Sequence, residues 1–130
     1  MIVVDTSALM AIVKDEPASD FCITAMASAG RVLISAATVT EALIVARGRG
    51  LSEAMNAIFD RFGPEIVSVT PSFAYAAADA YRRWGKGFHP AALNFGDCFA
   101  YALAAERGCP LLFVGDDFAR TDIASALPKS

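Results

Sequence analysis

The chain has 130 residues, 55% hydrophobic and 19% charged, with a formal net charge of −3. That length predicts a single domain over residues 1–130, burying roughly two-thirds of its unfolded surface. The composition excludes a disordered chain, and the negative charge excludes nucleic-acid binding by bulk attraction.

Ile2-Val3-Val4 is a continuous β-branched run, which reads as a strand buried on both faces. A short helix is expected from Ser7 to Lys14 and a second one opened by Pro17, where a missing N–H costs nothing. Val32-Leu33-Ile34 predicts a second strand, followed by a helix starting at Ser35 or Thr38 and ending near Gly48 or Gly50. Ser52 is expected to cap a helix that stops at Gly63-Pro64. Ile66 to Val69 reads as the third strand, and Pro71 starts a long helix through Trp84. Gly85-Lys86-Gly87-Phe88-His89-Pro90 is expected to be a mobile basic loop, and Asn94 to cap the helix Phe95 to Arg107. Leu111 to Val114 supplies the fourth strand, and Ile123 to Leu127 an edge strand. Strands alternating with helices predict an α/β fold with a parallel sheet covered on both faces.

No apolar run reaches the ~18–20 residues of a membrane span, and no basic leader precedes an apolar stretch. Cys22, Cys98 and Cys109 are odd in number and lack metal-finger spacing, which suits free thiols in a reducing cytoplasm.

Acids recur where strands end or helices begin: Asp5, Glu41, Asp97 and the pair Asp116-Asp117. In an open parallel sheet, ligands bind beyond the carboxyl ends of the strands, so these acids are expected at one edge. Two carboxylates ~4 Å apart repel by about 4 kcal/mol at an effective dielectric of 20. Clustering them calls for a divalent cation, and all-oxygen donors point to Mg²⁺ or Mn²⁺. Each acid alone also fits a structural role. Thr38 to Glu41 and Asn94 to Asp97 have capping-box spacing, Asp5 suits a helix cap, and Asp117 a turn.

The order of these motifs resembles that of PIN-domain nucleases, specifically VapC-type toxins. The resemblance rests on Met1-Ile2-Val3-Val4-Asp5-Thr6-Ser7-Ala8-Leu9, on the stretch from His89 through Asn94-Phe95-Gly96-Asp97 to Ala104, and on Gly115-Asp116-Asp117-Phe118. It implies a three-layer α/β/α sandwich and a metal-dependent endoribonuclease held inactive by a small VapB-type antitoxin. It also implies a homodimer, and a heterotetramer or larger assembly with the antitoxin. By position, Asp5, Glu41 and Asp97 would ligate the metal and share catalysis with a fourth acid, Asp116 being favoured over Asp117. Thr6, Ser7 and Asn94 would orient the ligands.

Water attack assisted by a carboxylate would leave 5′-phosphate and 3′-hydroxyl ends. A mechanism with two histidines is excluded, because His89 is the only one. Arg82, Arg83, Lys86 and His89 are candidates for guiding an RNA backbone, with Trp84, Phe88 or His89 available for stacking. Arg47 and Arg49 read as a solvated helix face. A phosphorelay receiver is disfavoured, since Val67-Ser68-Val69-Thr70 offers no phosphoacceptor aspartate. The rival from another class is a catalytically silent PIN-like module that binds RNA or a protein.

Overall fold

The β-branched run at the start of the chain forms the strand around which the sheet is built. In the computed structural model, which describes residues 1–128, β1 (Ile2–Val4) lies between β2 (Val32–Ser35) and β4 (Leu111–Leu112). β3 (Glu65–Val67) flanks β2, giving the order β3-β2-β1-β4 with every pairing parallel. The last two residues of the expected 1–130 domain lie outside the described residues.

Alternation along β1 sorts its side chains between two cores. Val3 joins Leu33 and Leu111 against α5 (Pro71–Trp84) and α6 (Phe95–Arg107). Ile2 and Val4 join Ile34 and Leu112 on the opposite face. That face is covered by α1 (Thr6–Val13), α2 (Ser19–Ser28), α3 (Ala36–Gly48) and α4 (Ser52–Phe62). The α/β/α sandwich expected from the pattern is therefore the observed one. Val3 and Val4 are fully buried, each worth about 1.5–3 kcal/mol of transfer free energy.

Several element ends differ from the sequence reading, each for a local reason. α3 is capped by Ser35, whose hydroxyl accepts from the Ala37 N–H at 3.2 Å. Thr38 consequently falls inside the helix and is buried, so the expected Thr38–Glu41 capping box does not form. Glu41 is thereby free of that structural task. Pro17 lies in a turn ahead of α2, and Leu51 rather than Ser52 occupies the α4 cap. β4 stops at Leu112 instead of Val114, because the Val114 N–H turns to the Ser7 hydroxyl at 3.0 Å. The expected edge strand is one parallel bridge, in which Leu111 donates to the Ala124 carbonyl and accepts from Ala126. α4 and α6 end as glycine predicts, with Gly63 and Gly108 in the left-handed region.

Candidate active site

Asp5 follows β1 directly and caps α1, its Oδ2 accepting from the Ser7 N–H at 3.0 Å. Its extended backbone (φ −98°, ψ 158°) continues the strand while its side chain turns into the protein. The residue is only 2% exposed, and Oδ1 is buried without a hydrogen-bond partner. Burial pushes the carboxyl up to about 7, and the charges of Asp97 and Glu41 push the same way.

Glu41 reaches this carboxylate from α3, in the second turn of the helix. Its Oε1 accepts the Thr6 hydroxyl at 2.6 Å, which ties the α3 acid to the first residue of α1. The same carboxylate lies flat against Gly96, where any Cβ would overlap it. Asp97 is the third residue of α6 and shares a capping box with Asn94. Its Oδ2 accepts from the Asn94 N–H at 3.0 Å, and its own N–H donates to Asn94 Oδ1 at 2.9 Å. Partial burial raises its carboxyl to about 6, with Glu41 and Asp117 adding to the rise. Both readings of Asp5 and Asp97, as cap and as member of an acidic cluster, therefore hold together.

The two candidates for a fourth acid, Asp116 and Asp117, differ in their surroundings. Asp117 is the acid of this loop whose charge acts on Asp97. Phe118, buried beside it, anchors the turn Phe118–Arg120 and with it the position of Asp117. Ser7 fixes the start of the same loop, its hydroxyl accepting from the Val114 N–H while its own N–H donates to Asp5.

The acids share an edge but do not close a cage. Among the described residues, no three His, Cys, Asp or Glu side chains are gathered tightly enough to hold an ion. Asp97 is turned to its own cap and Glu41 to Thr6. The donor set nevertheless fits a hard divalent cation. All the donors are carboxylate oxygens, and the buried, unpartnered Asp5 Oδ1 is where a positive charge is wanted.

The basic candidates are mostly committed elsewhere. Arg82 pairs with Asp79 at 3.6 Å, while Arg83 pairs with Asp122 at 3.4 Å and lies over the Trp84 ring at 4.6 Å. His89 meets Trp84 edge-on at 4.6 Å, and its Nδ1 accepts from the Ala91 N–H. Trp84 itself is part-buried and donates to the Tyr101 hydroxyl, which donates to Asp122 at 2.5 Å. The loop expected to be mobile is closed by backbone bonds, Lys86 donating to the Leu93 carbonyl and Leu93 to that of Trp84. Lys86 is exposed and has no carboxylate partner among the described residues. Arg47 and Arg49 are exposed, as a solvated face predicts.

Gly96 was not singled out by motif, although a glycine in the first turn of a helix is a costly choice without a reason. Gly96→Ala is expected to leave the melting temperature within a few degrees and to lower activity roughly 10- to 100-fold. The added methyl displaces the Glu41 carboxylate rather than the backbone. Parallel melts and cleavage rates check this, and unchanged activity would show that the position of Glu41 is unimportant.

The family profile described as PIN domain matches residues 2–124. Ribonuclease VapC30 of Mycobacterium tuberculosis is 44% identical, over 97% of this chain and 99% of that protein. Among solved structures, M. tuberculosis VapC20, described as a Sarcin-Ricin loop cleaving toxin, superposes with a TM-score of 0.78 at 19% identity. That match covers 98% of this chain and 100% of the other. A toxin–antitoxin complex from Klebsiella pneumoniae has a chain with a TM-score of 0.70 at 16% identity, covering 94% of this chain and 93% of that one.

Proposed function

The chain belongs to the PIN-domain family as a VapC-type ribonuclease, an endoribonuclease toxin of a toxin–antitoxin pair, and from that premise we propose how its acids work. Asp5, Glu41, Asp97 and Asp117 form the hydrolytic site and hold Mg²⁺ or Mn²⁺. The observation that carries this reading is the buried, unpartnered oxygen of Asp5, whose carboxyl burial pushes up to about 7 with Asp97 and Glu41 adding to the rise. A bound cation supplies charge that offsets the repulsion between the acids and a phosphodiester and polarises the phosphoryl oxygen.

The chain's own groups supply orientation and proton transfer. Thr6 occupies Glu41 Oε1, leaving Oε2 to accept the proton of an attacking water. Ser7 holds Asp5 through its N–H and ties the Asp117 loop to the same helix start. Asn94 fixes the rotamer of Asp97. In-line attack by water leaves a 5′-phosphate and a 3′-hydroxyl.

The partner is a VapB-type antitoxin, and exposed Phe21 and Ile66 offer apolar surface for it or for a homodimer. A cytoplasmic location fits three free, buried cysteines, and among the described residues no helix is long and apolar enough to cross a membrane.

Cleavage of total bacterial RNA by purified protein tests the reading, with Mg²⁺, Mn²⁺ or EDTA and with Asp97→Asn beside it. Discrete fragments that require the cation and fall roughly 10³-fold in the variant are expected. A folded, cation-binding protein that cleaves nothing across a broad RNA set would instead favour the silent binding module.

A further inference from the structure

Glu41 has two neighbourhoods of opposite character. On one side are Thr6 and the other acids; on the other is an apolar cavity of about 250 Å³ walled by Ala37, Ile44, Val45, Phe95 and Phe99. Phe95 is 79% exposed, the highest value among the large hydrophobic side chains of the described residues. It contributes almost nothing to the core, yet it opens α6 two residues before Asp97. Its ring is steadied edge-on by Phe99 at 5.1 Å and 74°. The side of the groove next to it is kept low by Gly96.

We propose that Phe95 and this groove form a nucleobase subsite, in which an unpaired base next to the scissile phosphate stacks on the Phe95 ring. The inference rests on the nuclease reading of the acids. Because Glu41 lines the groove and also belongs to the acidic edge, an occupant of the groove is contiguous with the group held at the acids. A protein segment or second copy seated there would cover Glu41 and exclude substrate, so the occupant of the working enzyme is the RNA itself. Stacking needs an unstacked base, so the subsite selects single-stranded RNA over duplex. The net charge of −3 gives no bulk attraction for RNA, which leaves ring stacking to supply affinity beside the phosphate.

Binding of fluorescein-labelled hexaribonucleotides of adenosine or uridine, in Mg²⁺ and on an Asp97→Asn background, tests this by anisotropy. Phe95→Ala is expected to weaken binding roughly 5- to 100-fold, while Phe95→Tyr keeps it within about threefold. Tyr75→Ala, which removes an aromatic side chain of similar exposure (77%) outside the groove, is expected to change nothing. In the active chain, Phe95→Ala is expected to lower kcat/KM on single-stranded RNA by a similar factor.

Equal binding and cleavage by Phe95→Ala would overturn the subsite while leaving the nuclease intact. An equal loss in Tyr75→Ala would overturn it too, and so would a loss that tracks dissociation of a dimer in sedimentation. If the unsubstituted chain neither binds nor cleaves RNA, the nuclease reading falls and the subsite with it.

Discussion

Asp5→Asn is expected to give a protein that is roughly 10³-fold slower in RNA cleavage and yet, without metal, more stable than its parent at pH 8. The loss of activity follows from removing the acid whose buried oxygen lacks a partner and whose charge a cation would meet. The gain in stability follows from the same fact. An ionised carboxylate that is 2% exposed, beside Glu41 and Asp97, is costly to keep charged. A neutral amide of nearly the same shape can still accept from the Ser7 N–H and avoids that cost. A gain of about 1–3 kcal/mol is expected at pH 8, shrinking as pH falls below about 7 and folded Asp5 takes up its proton. Urea titrations in EDTA at pH 5 and pH 8 check it. A variant destabilised equally at pH 5 and pH 8 would show that the Asp5 charge carries no strain.

The unsubstituted protein, freed of metal, is expected to lose stability as pH rises through the neutral range. Asp5 moves from an ordinary 3.8 to about 7 on folding, and Asp97 from 3.8 to about 6. Folded-state values above the unfolded ones mean that the native chain binds more protons than the unfolded chain between these limits. Their stabilising contribution is therefore complete below pH ~4 and is lost as pH climbs through about 6 and about 7. For Asp5 alone the full excursion corresponds to roughly 4 kcal/mol. That would lower the melting temperature by on the order of 10 °C in a chain of this size. Mg²⁺ or Mn²⁺ is expected to restore the loss at pH 8 in a concentration-dependent way and to do little at pH 5, where the acids hold protons. Calorimetry across pH 4–8, with and without the cation, measures both. A melting temperature that rises steadily to pH 8 in EDTA would contradict the buried-acid picture.

What the sequence revealed of this molecule tracks what is local in it. β1 and β2 were legible because unbroken β-branched or aliphatic runs need cover on both faces, and Val3 and Val4 do divide between two cores. The Asn94 cap and the Gly63 and Gly108 stops were legible for the same reason: each acts within a few residues. Asp5 and Asp97 could be placed because strand ends and helix starts can be read. The misreadings involve partners that are distant in sequence. Nothing near Glu41 shows that it answers to Thr6, 35 positions away. The glycines around Lys86 suggested motion, but the segment is held by Lys86 donating to the Leu93 carbonyl, by the Tyr81 hydroxyl on the Lys86 carbonyl and by Arg120 on that of Pro90. Phe95 passed unnoticed because an apolar residue at a helix start is unremarked until its exposure is known.

The Ser7–Val114 hydrogen bond joins residues 107 positions apart and ties the end of the last strand to the first helix. β1 is made early and waits between two strands, one of which leaves the ribosome only after more than a hundred further residues. Until β4 docks, the Ser7–Val114 tether is missing and β1 has one open flank. Closing so long a loop is slow compared with forming the helices between. A partly made chain is thus not yet folded at the sheet edge that carries its acids.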